Sequence, residues 1–405
     1  MFDAASLRAG GVVSPYFDRV VAPSATLAAM RPRLAEFGVT RLARLTGLDQ
    51  VGVPVWAAVR PNALTLAVSQ GKGLDDDAAA ASAMMEAIEV AVAERTDLPR
   101  LTLSSRAMEA SGRRVAPLPE LLRVGAAPPA PDEPIAWIEG FDLIGETPIW
   151  VPLDAVRLGE DAAETRYWQS TDGLASGNVL WEAAFHGLCE RVERDALMLW
   201  ALADDVEVGE RCRDARDLGD PALDGLAAKI DAAGLRLRLF DVTTDVGTPV
   251  WFATISPPPE SDPARWRHFD LQSGSGCHPD PARAAIRAVT EAAQSRVTAI
   301  SGARDDFDPE EYRARIALDL LPLVRAEPSR RAPAAAASVA PADYLRDMAA
   351  RLAAVGVGAA FVAPIECGAH GFAVAKALVP DLETVPGARR FPLGRRGLRA
   401  KLGRR

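Results

Sequence analysis

The chain has 405 residues, of which 49% are hydrophobic and 25% charged, and it carries a formal net charge of -9. That length and balance allow a large α/β core or two fused domains and exclude disorder as the main state. The acidic sign argues against a general nucleic-acid binder, because phosphate contacts need a basic surface. Cys189, Cys212, Cys277 and Cys367 are too few and too scattered for a disulfide scaffold, so a reducing compartment is expected. The opening MFDAASLRAGG has no apolar signal core, and the apolar stretch 352–365 is short and interrupted by Gly356, Gly358 and Pro364. No membrane association is expected, and a cytoplasmic location follows.

In chain order, strand-like runs stand at 53–59 and 64–68, and a long helix begins near Asp76. Further strands are expected at 137–144 and 148–153, then a glycine-rich loop, TDGLASGN, leading into a helix over about 178–203. Strands at 235–243 and 250–256 precede a loop, QSGSGCHPDP, and a helix over about 281–300. The last part reads as a helix from about Tyr344, then strands at 359–365 and 372–379. Proline- and alanine-rich seams lie at 116–134 and 326–341. Helices and strands alternate throughout, so an α/β or α+β architecture with helices packed on sheets is expected.

In the first long helix, AAAASAMMEAIEVAVA, the only charged residues are Glu86 and Glu89. A helix so apolar is mostly buried. With Ser82, the two glutamates fall at i, i+4 and i+7 and share one face. Glutamates on a helix are ordinarily solvated surface residues; here the apolar flanks argue otherwise. The second helix aligns Glu182, His186, Glu190 and Glu193, with Asn178 one turn ahead. Arg191 and Arg194 leave open an ordinary salt-bridged face. The third helix carries Arg287, Glu291 and Gln294 at i, i+4 and i+7. Two like charges about 4 Å apart repel by about 4 kcal/mol at an effective dielectric of about 20, so converging carboxylates need protons or cations. Magnesium bridging to a polyphosphate meets that need with oxygen ligands. No Walker motif accompanies the Gly71–Gly73 segment, and no nucleophile elbow or zinc-like array is present. Cys367 with His370, and Cys277 with His278, are metal-ligand or sulfur-carrier candidates whose plainer reading is structural.

At these three helices the sequence resembles the YcaO superfamily, whose ATP site is built from separated glutamate motifs instead of a P-loop. The segment SQGKGLDDDAAAASAMMEAIE resembles the first motif, GLASGNVLWEAAFHGLCERVERDA the second and RAAIRAVTEAAQSR the third. The resemblance covers about residues 38–380. It implies a YcaO-type fold divided as 1–115, the N-terminal part; 116–134, a connection; 135–325, the ATP-binding core; 326–341, a second connection; 342–388, a C-terminal α/β part; and 389–405, a basic tail. It implies magnesium ligation by Glu86, Glu89, Glu190, Glu193 and Glu291. Ser82, Asn178, Glu182, Arg194, Arg287 and Gln294 would contact nucleotide or orient those ligands, and Lys72 would contact phosphate. Glu193, Glu291 and Arg287 would serve the chemistry, with His186 either a proton shuttle or a packed residue. Val90 stands where an arginine often follows the second glutamate, which leaves one accessory phosphate contact in doubt.

The implied activity is ATP-dependent phosphorylation of a backbone amide in a peptide or protein substrate. The nucleophile then decides the product: an azoline, a thioamide or an amidine. Azoline-forming members typically end in a proline-rich segment, whereas this sequence ends GRRGLRAKLGRR. The stretch 38–73 is similar to YcaO proteins paired with TfuA, which points to thioamide formation with a TfuA-like partner or other sulfur source. Azoline formation and a non-catalytic ATP-binding role in ribosomal-protein methylthiolation are the rival readings, and the resemblance leaves room for a homodimer. In the tail, Arg389, Arg390, Arg395, Arg396, Arg399, Lys401, Arg404 and Arg405 stand without an acid. A solvated end is the plain expectation. The alternative is a docking segment that orders only on binding, since its glycines disfavour an isolated helix.

Overall fold

The computed structural model describes residues 4–7, 16, 18–95, 97–159, 165–262, 265–304, 307–329, 339–368, 370–384 and 393–403. Helix α1 (Pro23–Met30) precedes strands β1 (Arg41–Arg44), β2 (Val55–Val59) and β3 (Val68–Lys72), which form an antiparallel sheet in that order. Helix α2 (Asp76–Ala93) lies across the sheet and starts at Asp75, whose carboxylate accepts from the Ala78 N–H and so caps it. The strand expected at 64–68 begins only at Val68. Thr65 is diverted, because its N–H and hydroxyl both donate to Glu94, which also pairs with Arg60 at 2.6 Å.

Strand β4 (Leu101–Ser104), helix α3 (Ser105–Ala110), strands β5 (Pro134–Asp142), β6 (Thr147–Pro152) and β7 (Leu174–Gly177), and helix α4 (Leu180–Trp200) follow. Next come α5 (Asp205–Arg211), β8 (Cys212–Arg213), α6 (Pro221–Ala232), β9 (Arg236–Asp241), β10 (Val250–Ser256), β11 (Gln272–Cys277) and α7 (Pro281–Ser301). These four strands pair antiparallel in the order β11-β10-β9-β8. The last elements are α8 (Leu321–Arg325), α9 (Tyr344–Ala354), β12 (Phe361–Cys367), β13 (Ala373–Leu378) and α10 (Arg395–Gly403). The third sheet, β4-β5-β12-β13-β7 with β6 on β5, draws strands from both sides of each proline-rich connection. The chain is therefore an α+β protein, with three antiparallel sheets among the described residues and helices packed on them.

Two segments expected as loops are strands. TDGLASGN contributes β7, and QSGSGCHPDP contributes β11. Their glycines serve close packing: a Cβ on Gly276 would overlap the Ala284 carbonyl, and one on Gly177 would come within 2.5 Å of Glu182 Cβ. Gly71 of β3 meets the backbone of Ala79 and Ala83 on α2 in the same way. Each motif helix is thus preceded by a glycine-bearing strand on which it lies. The tail departs from expectation as well. Residues 395–403 are helical and docked on α4, while Arg389, Arg390, Arg404 and Arg405 lie outside the described residues. Docking overrides the weak propensity of its glycines. Arg396 pairs with buried Asp195 at 2.9 Å, and the N–H groups of Gly394 and Gly397 donate to Glu383. Among the described residues no helix is long and apolar enough to cross a membrane.

Candidate functional site

Helices α2, α4 and α7 each turn one polar line toward the others. On α2 the alanines around the line are buried, whereas Ser82 and Glu86 are exposed and Glu89 half-buried. The Glu86 side chain is open to solvent, and desolvation by the protein packed near its carboxyl pushes it up to about 7, opposed by Lys72 and aided by Glu190. Glu89 is raised well above the usual carboxylate range by burial and then by Glu86, with Glu190 adding to the effect. Glu86, Glu89 and Glu190 thus form one mutually repelling group.

Glu193 and Glu291 form a second. The Ser275 hydroxyl on β11 donates to Glu193 at 2.7 Å and lies 3.4 Å from Glu291, toward which the Ser275 N–H also points. Burial and then Glu291 raise the Glu193 carboxyl. Burial works upward on Glu291 too, but Lys72, through charge and a 2.6 Å ion pair, holds it below the usual range with help from Arg194.

Two cations join the groups. Lys72 from the end of β3 reaches Glu291 and acts electrostatically on Glu86. Arg194 donates to Glu190 at 3.0 Å and feels Glu193, Asp172 and Glu291, which together hold its guanidinium charged against burial. Arg194 belongs to the cleft, whereas Arg191 turns away to the carbonyls of Leu382 and Glu383. Glu190 is fixed from its other side by the Gly173 N–H at 3.0 Å.

The remaining residues of the second motif do something different. Glu182 is fully buried and its carboxylate is occupied: it accepts from the Val20 N–H at 2.6 Å, from Arg19 at 3.1 Å, and from the backbone and side-chain nitrogens of Asn178. Asn178 in turn accepts from the Thr26 hydroxyl at 2.8 Å. Glu182 and Asn178 anchor the N-terminal segment to the start of α4. That segment brings Arg19 close enough to act on both Glu89 and His186. No local signal marks Arg19, Ser275 or Asp172 in the sequence, because their partners lie far away along the chain.

Arg287 donates to His186 Nδ1 at 3.1 Å. A guanidinium cannot accept, so Nδ1 is the acceptor and the ring proton sits on Nε2. Burial, then Arg19 and Arg287, push His186 well below its ordinary value and keep it neutral. His186 Nε2, Arg194 Nε and Gln294 Oε1 are buried and have no hydrogen-bond partner among the described residues. Unsatisfied buried polar atoms beside crowded carboxylates mark a site shaped for a ligand. The donor set is oxygen from carboxylates with two cations alongside, which fits magnesium and a polyphosphate. Among the described residues no three potential ligands are closed around one point; Lys72 and Arg194 stand among the carboxylates instead.

Of the cysteine and histidine candidates, Cys277 and His278 border the site, since Glu193 and Arg287 act on Cys277 and His278 acts on His186, whereas Cys367 and His370 pair with none of its residues. Burial pushes the Cys277 thiol well up against its neighbour Cys189, and His278 is buried against Asp18 at 2.7 Å. Burial and Glu366 raise the Cys367 thiol, and Glu366 instead pairs with His370 at 2.7 Å.

The model of the YcaO family, described as cyclodehydratase, ATP- and Mg2+-binding, matches residues 70–383. A Rhizobium leguminosarum bv. trifolii protein from the tfuA 3′ region is 40% identical over 96% of this chain and 94% of its own length. A Methanothermobacter thermautotrophicus protein is 37% identical over 73% of this chain and 75% of its own. The solved YcaO from Methanopyrus kandleri, bound with AMPPCP and Mg2+, matches with a TM-score of 0.69 at 22% identity, covering 93% of this chain and 97% of that one. A heterocyclase in complex with substrate and cofactor matches with a TM-score of 0.73 at 20% identity over 95% of this chain. The chain spans only 55% of that heterocyclase. At these identities the structural likeness speaks for the fold.

Proposed function

Because this chain belongs to the YcaO family, whose cofactors are ATP and Mg2+, we propose that it activates a backbone amide of a peptide or protein for conversion to a thioamide. The observation that carries the reading is the meeting of Glu86, Glu89, Glu190, Glu193 and Glu291, from three helices, around Lys72 and Arg194. In this reading the five carboxylates hold magnesium. When bound, ATP supplies the phosphoryl group that makes the amide oxygen a leaving group, and magnesium neutralises the phosphates.

The chain's own groups provide positioning and charge. Ser275 fixes the Glu193 carboxylate, and Asp172 and Glu190 fix Arg194 where phosphate charge would develop. Lys72, now paired with Glu291, would be the cation to hold a phosphate oxygen of bound ATP. Neutral His186, with Nδ1 held by Arg287, offers Nε2–H as a donor, and Gln294 Oε1 offers an acceptor. Ser82 sits on the open line of α2, a turn from Glu86, where it would contact a bound nucleotide. Glu182 and Asn178 act indirectly, by holding α4 and Arg19.

In the overall reaction a sulfide equivalent forms the new carbon–sulfur bond, the amide carbon–oxygen bond breaks, and phosphate carries the oxygen away with ADP. A TfuA-like partner delivering sulfur is supported by the tfuA-associated relative. The deciding experiment combines purified chain, candidate peptide, sulfur source, ATP and magnesium. Thioamide formation raises the peptide mass by the difference between sulfur and oxygen. Loss of one water would instead establish azoline chemistry, and magnesium-independent or absent ADP release with competent peptide would overturn the enzymatic reading.

A further inference from the structure

We infer that the outward face of α10 is a docking surface for an acidic protein partner, whatever reaction the cleft performs. Helix α10 divides cleanly by its 3.6-residue period. Arg396, Gly397 and Ala400 turn inward: Gly397 is buried, and Arg396 spans Asp195 on α4 at 2.9 Å and Asp245 at 2.5 Å. Glu383 accepts from the N–H groups of Gly394 and Gly397 and so satisfies the start of the helix. Arg395, Leu398, Arg399 and Leu402 fall at i, i+3, i+4 and i+7 on the opposite side. Leu398 is 48% and Leu402 63% exposed.

Arg395, Arg399 and neighbouring Lys401 have no ion-pair partner among the described residues, although the protein as a whole is acidic. An isolated basic patch with two exposed leucines at its centre fits a surface that presents carboxylates around an apolar side chain. A cavity of about 380 Å3 opens beside it; Leu199, Trp200 and Val242 line its apolar part and offer that side chain a seat, while Glu207 and Asp245 on its wall are already paired with Arg211 and Arg396. A bilayer is the poorer match, because two leucines without an aromatic anchor insert little apolar area. A second copy placing α10 on α10 would oppose like charges. At about 1.5 Å per residue the nine-residue face is only about 13 Å long. It is too short to supply the roughly 800 Å2 of a standard interface by itself, so binding here is weak and salt-sensitive.

The test uses the full chain and a synthetic 20-residue amphipathic helix of leucine and glutamate, roughly the length of a long globular helix. A twin in which glutamine replaces glutamate, and phosphatidylcholine–phosphatidylglycerol vesicles, serve as controls. The acidic helix should bind wild type with an affinity that falls about tenfold or more from about 50 to 500 mM salt. R395E/R399E/K401E should lose that binding, and L398S/L402S should weaken it, with Arg396 intact and magnesium-nucleotide binding unchanged as a sign of correct folding. Equal binding of the glutamine twin, unchanged affinity in both variants, or capture by vesicles in place of the peptide would overturn the proposal. A wild-type dimer that both variants dissolve would do so too, by assigning the face to a second copy.

Discussion

Among individual residues, Glu193 and Glu86 separate chemistry from folding. In Glu193→Gln the remaining amide oxygen still accepts from Ser275 Oγ, and repulsion from Glu291 disappears. The thermal unfolding temperature should therefore hold or rise slightly, while magnesium-dependent ADP release falls by about a hundredfold or more. Unchanged ADP release would remove Glu193 from the machinery. Glu86 makes a different prediction because its carboxyl sits at about 7, against an ordinary value of 4.5. A folded-state value raised above the unfolded one contributes stability that is full below about 4.5 and lost as pH climbs to about 7. Glu86→Gln should flatten unfolding temperature against pH across that window. At pH 7 the half-protonated group should also release about half a proton when magnesium nucleotide binds. Calorimetry in two buffers of different ionisation heat measures it, and the release should shrink in Glu86→Gln.

For the elements, the three strand–helix contacts matter more than any single side chain. In Gly276→Ala the new methyl would meet the Ala284 carbonyl, Arg287 Cβ and Ala288 N, so α7 must move off β11. Overpacking of this kind costs about 1–3 kcal/mol, and it displaces Arg287 and Glu291 together. Gly225→Ala on α6, where a Cβ meets nothing, should instead gain up to about 1 kcal/mol. Denaturant midpoints read both, and magnesium-nucleotide affinity should fall only in Gly276→Ala. The motif helices are legible in the sequence because each sets polar residues that include glutamate at helical spacing along one line among apolar neighbours, as Ser82, Glu86 and Glu89 do, a pattern with few uses other than a polar site inside the fold. Strands β7 and β11 are not, because GLASG and SGSG carry a loop's composition. There glycine is chosen for backbone approach, a property of the partner helix that no local window contains. For the same reason no local window marks Arg19, Ser275 or Asp172, and of the two roles the resemblance leaves to Glu182, contacting nucleotide or orienting ligands, its occupied carboxylate favours the second.

At the scale of the whole molecule, an acidic chain ends in a helix with no acid, and one arginine converts that imbalance into structure. Arg396 is 11% exposed and makes a two-pronged contact with Asp195, which is completely buried and lies next to Arg194 on α4. The end of the chain thereby braces the helix that carries Glu190 and Glu193. In Arg396→Ala, Asp195 keeps, among the described residues, the hydrogen bond from the Glu383 N–H at 3.0 Å. Removing one partner of a buried pair costs about 3 kcal/mol or more, because the other charge is left uncompensated. Burial already raises the Asp195 carboxyl in spite of Arg396, and without the arginine it rises further. A raised carboxyl keeps its contribution below the ordinary 3.8 and loses it as pH increases. The stability deficit of Arg396→Ala should therefore be small near pH 4 and grow toward neutrality, and the Asp195→Asn/Arg396→Gln pair should recover part of it at pH 7. Thermal unfolding at several pH values measures this. A deficit that is constant with pH, or one equalled by R395E/R399E/K401E, would show that α10 is held by general packing and not by the Arg396–Asp195 pair.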